Sequence, residues 1–193
     1  MGFVQEPDAK KERVLTSRKQ KIIDSIEKNF DNVKNFTFFN QKFHFQDQAY
    51  HQFLIEPDLK VLEIGCGNGD LLSSVRPSQG VGIDLSSKMI DYAKKRHPNL
   101  CFYAHDAELP LPVPEGETFD VIIISDVIGF FEDIQQTLEN LVPLCTPRTR
   151  LIISYYTKHW EFLVKIAELL GLKISQPTQN FLSTTEFSFH DRY

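Results

Sequence analysis

The residues with the clearest chemical potential are one carboxylate and three glycines at alternate positions. Glu63 is followed by Gly65, Gly67 and Gly69 within a single seven-residue segment. Glycine has no Cβ, so it adopts positive φ and lets a ligand lie directly against the backbone. An acidic residue just before such a turn suits a ligand that carries positive charge. The segment therefore predicts a binding site for a cationic ligand.

Two elements must position this turn. Residues 60–64 are mostly aliphatic and β-branched and end at the glycines, which predicts a buried strand. Residues 70–75 restart as a helix, with Asp70 as its expected cap. Strand, glycine turn and helix form the nucleotide-binding opening of a doubly wound sheet, whose ligand lies at the carboxyl end of the strand.

The glycine spacing narrows the choice of nucleotide. A dinucleotide fingerprint is G-x-G-x-x-G and places a pyrophosphate on a helix N-terminus, whereas this chain has G-x-G-x-G. Residues 63–69 resemble motif I of the class I S-adenosylmethionine-dependent methyltransferases. The resemblance implies S-adenosylmethionine as the cofactor, held by Glu63 and the segment from Gly65 to Gly69, including Cys66. A glycine-rich turn without a ligand is the alternative, and the small Cys66 side chain is expected to pack.

A second carboxylate, Asp84, ends the next apolar segment. It lies 84 − 63 = 21 residues after Glu63, about where an open α/β sheet places an acid for a nucleotide ribose. A carboxylate accepts hydrogen bonds from both ribose hydroxyls. The alternative is that Asp84 only caps the helix that starts near Ser86. Leu85 and Met89 follow the acid and are expected to pack on the adenine face.

Two further strands carry candidate residues at their carboxyl ends. Asp106 and Ala107 follow the third strand, and the resemblance implies that Asp106 reaches the adenine amino group. Residues 119–126 are apolar enough for a strand covered on both faces. Ser125 and Asp126 at its end are expected to face the transferred methyl group. Ser125 is expected to contact the cofactor, and Asp126 is expected to take part in catalysis.

His159 is a second candidate for proton transfer. It follows the fifth predicted strand, residues 150–154, and an imidazole titrates near neutral pH. If the acceptor is a hydroxyl or an amine, Asp126 or His159 can take its proton. Packing or a surface position is the alternative for His159.

Composition limits the class of protein. The chain has 193 residues, 41% of them hydrophobic and 24% charged, with a net charge of −5. This balance gives no general drive toward nucleic acid or an anionic membrane, and no apolar run is long enough to span a bilayer. Three widely spaced cysteines suggest neither a disulfide framework nor a metal site. We therefore expect a cytoplasmic protein without metal, nucleic acid or membrane partners.

The chain divides into two expected regions. Residues 1–56 predict an N-terminal helical and aromatic cap, and residues 57–193 an α/β domain that binds S-adenosylmethionine on a doubly wound, mainly parallel sheet. Within the cap, the basic cluster at residues 18–21 is interpreted as a solvated helix face, and the phenylalanine-rich residues 35–45 as a lid, a pocket wall or core.

The end of the chain shows a finer resemblance. Residues 145–150, 155–160 and 179–183 look like the methyltransferase modules joined to bacterial glycosyltransferases. The family's sheet has seven strands, and the last two form a hairpin. Residues 187–189 are too short to supply both of these strands. We therefore expect a C-terminally truncated domain without that hairpin, whose open edge a partner protein or self-association would cover.

The predicted function is transfer of a methyl group from S-adenosylmethionine to an unidentified small-molecule or glycan-related acceptor. Two alternatives belong to other classes. One is a catalytically inactive module that binds the cofactor or a partner. The other is a nicotinamide-dependent oxidoreductase, against which the glycine spacing argues.

Overall fold

Five parallel strands form the centre of the protein. The structure is a computed structural model that describes residues 16–28, 30 and 38–155. The strands are β1 Lys60–Ile64, β2 Gln79–Asp84, β3 Cys101–Ala104, β4 Phe119–Ser125 and β5 Cys145–Ser154. They lie in the order β3-β2-β1-β4-β5, and every neighbouring pair is parallel. The predicted doubly wound α/β fold is confirmed.

Helices precede and connect these strands. They are α1 Ser17–Lys28, α2 Phe38–Leu54, α3 Asp70–Ser74, α4 Ser87–Arg96 and α5 Ile134–Leu141. Helix α3 joins β1 to β2, α4 joins β2 to β3, and α5 lies between β4 and β5. Single 3₁₀ turns flank α5 at Ile128–Phe130 and Val142–Leu144. Parallel strands need such crossover connections, which cover the faces of the sheet.

The core consists of two clusters, one on each face of the sheet. Leu62 and Ile64 belong to one cluster, and Val61 belongs to the other. Successive side chains of a strand point to opposite faces, so Glu63 lies on the same face as Val61. Because both faces are covered, β1 and β4 are almost continuously apolar, as the sequence suggested.

Two element boundaries differ from the prediction. Strand β5 begins at Cys145 rather than at residue 150, because the Thr149 hydroxyl donates to the Phe119 carbonyl (2.6 Å) and holds this polar stretch beside β4. Helix α2 begins at Phe38, within the phenylalanine-rich residues 35–45. Asp70 is not the cap of α3, since Gly69 occupies the N-cap position.

Several predictions lie outside the described residues. These are His159, the missing C-terminal hairpin and the start of the phenylalanine-rich segment. Among the described helices, none has the length and hydrophobicity needed to cross a membrane.

Candidate functional site

Most of the predicted site residues meet at one edge of the sheet. Ile64 at the end of β1 pairs with Ile83 of β2 and with Ile124 of β4, and Asp84 pairs with Ala104 at the end of β3. The carboxyl ends of four strands are therefore level. This edge carries the predicted residues Glu63, Gly65, Cys66, Gly67, Gly69, Asp84, Leu85, Met89, Asp106, Ala107, Ser125 and Asp126.

The three glycines of the turn have positive φ angles of 75°, 51° and 77°, but their surroundings differ. A Cβ on Gly65 would lie 2.7 Å from the Val127 side chain, and one on Gly69 would lie 2.6 Å from Phe102. A Cβ on Gly67 would approach only Met89, at 3.7 Å. The outer glycines are thus required by packing, whereas the middle glycine faces open space in which a ligand fits.

Asp84 connects this turn to the end of β2. Its carboxylate accepts hydrogen bonds from the backbone N–H groups of Gly67 (2.9 Å) and Ser86 (2.8 Å). The cap of α4 is Ser86, whose hydroxyl accepts from the Met89 N–H, so a role for Asp84 as the helix N-cap is wrong. Each carboxylate oxygen has two acceptor sites, which leaves capacity for a ligand hydroxyl.

Glu63 is buried and incompletely satisfied. Glu63 is 3% exposed, and its Oε2 has no hydrogen-bond partner within residues 16–28, 30 and 38–155. Burial, together with the negative charges of Asp47, Asp84 and Asp70, raises the pKa of Glu63 well above its usual range, against a hydrogen bond from the Leu72 backbone. An unpartnered carboxyl group among other carboxylates is a site that a positively charged ligand stabilises.

Asp70 fixes the far side of the turn. Its Oδ1 atom accepts from Arg96 Nε at 2.6 Å and lies 2.9 Å from His97 Nε2, at the end of α4. Its backbone N–H donates to the Asn68 side chain at 3.1 Å. The acid predicted as a helix cap therefore anchors α4 to the glycine turn.

Cys66 packs in the interior. It belongs to the same core cluster as Val61 and is 5% exposed. Burial and the charges of Asp84 and Glu63 raise the pKa of the Cys66 thiol well above its usual range, so the thiol stays protonated. A protonated, buried thiol is a packing group rather than a nucleophile.

Asp106 has a partner that the sequence interpretation missed. Lys19 of α1 donates to Asp106 Oδ2 at 2.7 Å and lies 3.1 Å from Glu108 Oε2. Burial lowers the pKa of Lys19, but the hydrogen bonds and charges of Asp106 and Glu108 outweigh this effect and raise it. Arg18 donates to the carbonyls of Gly129 (3.2 Å) and Phe131 (3.4 Å). The interpretation of the basic cluster as a solvated face is therefore wrong for its first two residues.

The end of β4 has an unusual backbone. Asp126 has a φ of 55°, a conformation that non-glycine residues adopt rarely, although Asp tolerates it better than most. Its N–H donates to the Ser154 carbonyl at 2.9 Å, and the Ser125 and Ser154 hydroxyls are 2.8 Å apart. Such outliers cluster at functional sites, which makes this turn a candidate for substrate contact.

His51 is a buried histidine that sequence reasoning missed. It is fully buried in α2, and its Nδ1 lies 2.9 Å from the Asp47 carbonyl and 3.3 Å from Asp47 Oδ1. Its Nε2 has no hydrogen-bond partner among the residues that the structure describes. The available signal was the four-residue spacing of Asp47 and His51, which brings two side chains together on one face when a segment is helical.

The groups at this edge fit a cationic cofactor without phosphates. The turn leaves open space at Gly67, Glu63 presents an unpartnered oxygen, and the charges around it are carboxylates. A pyrophosphate at the same turn would be repelled by Glu63, Asp70 and Asp84. Fold and site together define a class I S-adenosylmethionine-dependent methyltransferase.

Comparison with known families agrees with this class. A family model described as a methyltransferase domain matches residues 55–182. The match covers more than half of the chain, and the chain therefore belongs to this methyltransferase family. Its cofactor is S-adenosylmethionine. Neither the inactive module nor the oxidoreductase gains support.

Individual relatives are distant. The chain is 26% identical over 157 residues to the ubiquinone/menaquinone biosynthesis C-methyltransferase UbiE of Campylobacter jejuni, a match that covers 73% of this chain. The matches span between 50% and 66% of the length of the UbiE relatives from this species.

Solved structures share the fold. A possible histamine N-methyltransferase from Thermotoga maritima has a TM-score of 0.66 at 22% identity and covers 86% of this chain and 76% of its own. The magnesium protoporphyrin IX methyltransferase from Synechocystis, which has S-adenosylhomocysteine bound, has a TM-score of 0.61 at 21% identity and covers 85% of this chain and 83% of its own.

Proposed function

We propose that this chain transfers a methyl group from S-adenosylmethionine to a small-molecule acceptor. The observation that carries the proposal is the glycine turn, with its open position at Gly67, its backbone held by Asp84 and its unpartnered Glu63 carboxyl group. The names of the similar proteins support an acceptor of this class, because they describe methylation in quinone biosynthesis, of magnesium protoporphyrin and, as a possibility, of histamine.

Each predicted residue receives a role in cofactor binding. Glu63 accepts hydrogen bonds from the ammonium group, and Asp84 accepts from the ribose hydroxyls. The backbone at Gly65, Gly67 and Gly69 leaves room for the ligand. Four residues form the adenine side, with Asp106 toward the amino group: Leu85, Met89, Asp106 and Ala107. Cys66 contributes packing beneath the turn.

The chemistry needs alignment more than activation. S-adenosylmethionine supplies a methyl group that is already activated by a sulfonium. The protein has to hold the acceptor in line, and such positioning contributes about 7 to 11 kcal/mol to barrier reduction. Asp126 takes the proton of a hydroxyl or amine acceptor, and Ser125 borders the cofactor beside it. His159, outside the described residues, is the second candidate base.

The N-terminal residues 1–56 act as a cap on residues 57–193 in this proposal. Three contacts of α1 support it: the Lys19 pair with Asp106, the Arg18 bond to the Phe131 carbonyl, and the Lys88 bond to the Glu27 carbonyl. Helix α1 thus contacts one residue that follows β3, one that follows the 3₁₀ turn after β4, and one residue of α4. We infer that α1 covers the adenosine side of the cofactor.

A glycan-related acceptor is the finer form of the proposal. It depends on the resemblance of three C-terminal segments to modules joined to bacterial glycosyltransferases. A partner protein or a second copy at the open edge of the sheet, and a cytoplasmic location, also stay predictions. Methyl-transfer assays with glycan and non-glycan acceptors test the acceptor. The same assays with and without candidate partner proteins test the partner.

A ligand screen tests the main proposal. We expect S-adenosylmethionine and S-adenosylhomocysteine to raise the melting temperature, whereas NADH leaves it unchanged. A labelled methyl group should then pass from S-adenosylmethionine to members of a small-molecule acceptor panel. Stabilisation by NADH alone would contradict the proposal in favour of an oxidoreductase. Cofactor binding without transfer to any acceptor would favour the inactive module.

Glu63→Gln should stabilise the ligand-free protein and weaken cofactor binding. The fold raises the pKa of Glu63 above its ordinary value of 4.5, so the protonated side chain stabilises the folded state. This contribution to stability is fully present below pH 4.5 and is lost as the pH rises through the raised pKa. Glutamine has no such proton. Over that pH window the variant should gain up to about 1.4 kcal/mol per pH unit in free energy of unfolding over the original protein.

Urea unfolding at a series of pH values, without ligand and with S-adenosylhomocysteine, measures both effects. The ligand should stabilise the Gln variant less, because a neutral amide attracts an ammonium group less strongly. Parallel stability curves for the two proteins across pH would show that Glu63 is ionised in the fold. Equal ligand stabilisation would remove it from the cofactor site.

A further inference from the structure

Two buried polar atoms have no hydrogen-bond partner within the part of the chain that the structure describes. They are His51 Nε2 and Glu63 Oε2, in residues that are 0% and 3% exposed. A buried polar group without a hydrogen-bond partner destabilises the folded state. Unsatisfied groups of this kind are uncommon in folded proteins, so each needs a physical explanation.

Both atoms belong to the interface between α2, α3 and the sheet. Glu63 lies on the same face of β1 as Val61, whose core cluster also contains residues of α3 and of the link after α2. Gln52 of α2 donates to the Ser74 carbonyl at 2.9 Å and so joins α2 to α3. Asp47 is a shared neighbour, since it hydrogen bonds to His51 and its charge raises the pKa of Glu63.

The contacts of the His51 ring indicate whether Nε2 is a hydrogen-bond donor or an acceptor. Nδ1 faces only acceptors, the Asp47 carbonyl at 2.9 Å and Asp47 Oδ1 at 3.3 Å, so Nδ1 carries a proton. Burial lowers the pKa of His51, but its hydrogen bonds to Asp47 and the charges of Asp47 and Asp126 outweigh this and raise it. The environment thus favours the charged ring, in which Nε2 is also a donor.

We propose that His51 binds the carboxylate of the cofactor's amino acid end, with His51 Nε2–H donating to that carboxylate next to the ammonium group already assigned to Glu63. The inference rests on the proposed function of this site and adds His51 to it. One unpartnered donor and one unpartnered acceptor match the two groups carried by the α-carbon of an amino acid. A carboxylate would otherwise be repelled by Asp47 and Asp126, and the His51 charge offsets that repulsion.

Two variants separate the nitrogens of the ring. The amide of His51→Asn lies near the position of Nδ1, so it keeps the Asp47 contact and removes the donor at Nε2. The amide of His51→Gln lies nearer Nε2 and keeps a neutral donor there. Phe53→Gln is the matched control, because Phe53 is in the same helix and 86% exposed. Circular dichroism melts establish that each variant is folded.

Titration calorimetry with three nucleosides tests the assignment. The probes are S-adenosylhomocysteine, its analogue without the carboxylate, and 5′-methylthioadenosine, which has neither charged group. The original protein and Phe53→Gln should prefer S-adenosylhomocysteine over the decarboxylated analogue by about 10- to 100-fold. His51→Asn should lose most of this preference, His51→Gln should keep part of it, and both should bind 5′-methylthioadenosine unchanged.

Other outcomes distinguish this inference from the function on which it rests. An unchanged preference in folded His51→Asn would overturn the role of His51 while leaving the cofactor site in place. An equal loss for all three nucleosides in that variant would also overturn it and assign His51 a structural role. Failure of the original protein to bind any of the three would instead refute the proposed function.

Discussion

Asp84→Ala is expected to lower the affinity for S-adenosylhomocysteine by roughly 10- to 100-fold or more. Hydrogen bonds to a charged group are worth about 1.5 to 3 kcal/mol each, and each 1.4 kcal/mol is tenfold in affinity. The carboxylate also accepts from the Gly67 and Ser86 N–H groups, so its removal loosens the turn that approaches the ligand. Calorimetry gives the affinity, and a thermal melt gives the stability of the variant.

A ligand without one ribose hydroxyl separates the two roles of Asp84. The 2′-deoxy cofactor analogue should bind the original protein less well but lose little further affinity on Asp84→Ala, since both changes delete one interaction. Asp84→Asn is the matched control, because it keeps one acceptor oxygen, and it should lose less. Fully additive losses would show that Asp84 acts only through the backbone of the turn.

Gly67→Val is expected to reduce S-adenosylhomocysteine affinity by at least about 100-fold in a protein that still folds. The φ of 51° is unfavourable for a β-branched residue, at a cost of about 1 to 2 kcal/mol. A Cβ at this position meets only the Met89 side chain, at 3.7 Å, so the interior need not shift. The added methyl groups fill the open space assigned to the ligand. Calorimetry and a melting curve on the same sample measure both effects.

Gly69→Ala provides the contrast. Its Cβ would lie 2.6 Å from Phe102 Cζ, so the side chain is forced into the core rather than into the ligand space. Overpacking of this kind costs about 1 to 3 kcal/mol, in addition to the strain of a positive φ. We expect Gly69→Ala to lose mainly stability and Gly67→Val mainly affinity. A folded Gly67→Val protein with unchanged affinity would move the cofactor to another site.

The prediction for Asp106 illustrates how contacts distant in sequence modify a motif. Asp106 lies after β3, as its place in the chain indicated, but it also accepts a hydrogen bond from Lys19, 106 − 19 = 87 residues away. If Asp106 contacts the adenine amino group, as proposed, it does so while paired with the cap helix. The same carboxylate then holds α1 in place and orients the base.

The sequence by itself determined the sheet and the strand ends at which the candidate site residues lie. Strand β1 has the predicted bounds, and the other strands carry enough apolar residues to be recognised because both faces of the sheet are covered. Parallel strands bring their carboxyl ends to one edge, so residues at four separate strand ends were correctly expected together. The helical spacing of Asp47 and His51 was present as well, but spacing alone does not show that a side chain is buried.

Only the tertiary structure decided which polar groups meet. Two contacts join segments that are distant in sequence: the Lys19 pair with Asp106, 87 residues apart, and the Asp84 bond to the Gly67 N–H, 17 residues apart. The burial of His51 depends on packing from several elements. A local pattern reports the periodicity of its own element, which is enough to place a strand or a helix. It does not report the register in which α1 and α2 pack on the sheet, and that register fixes which charges are buried and paired.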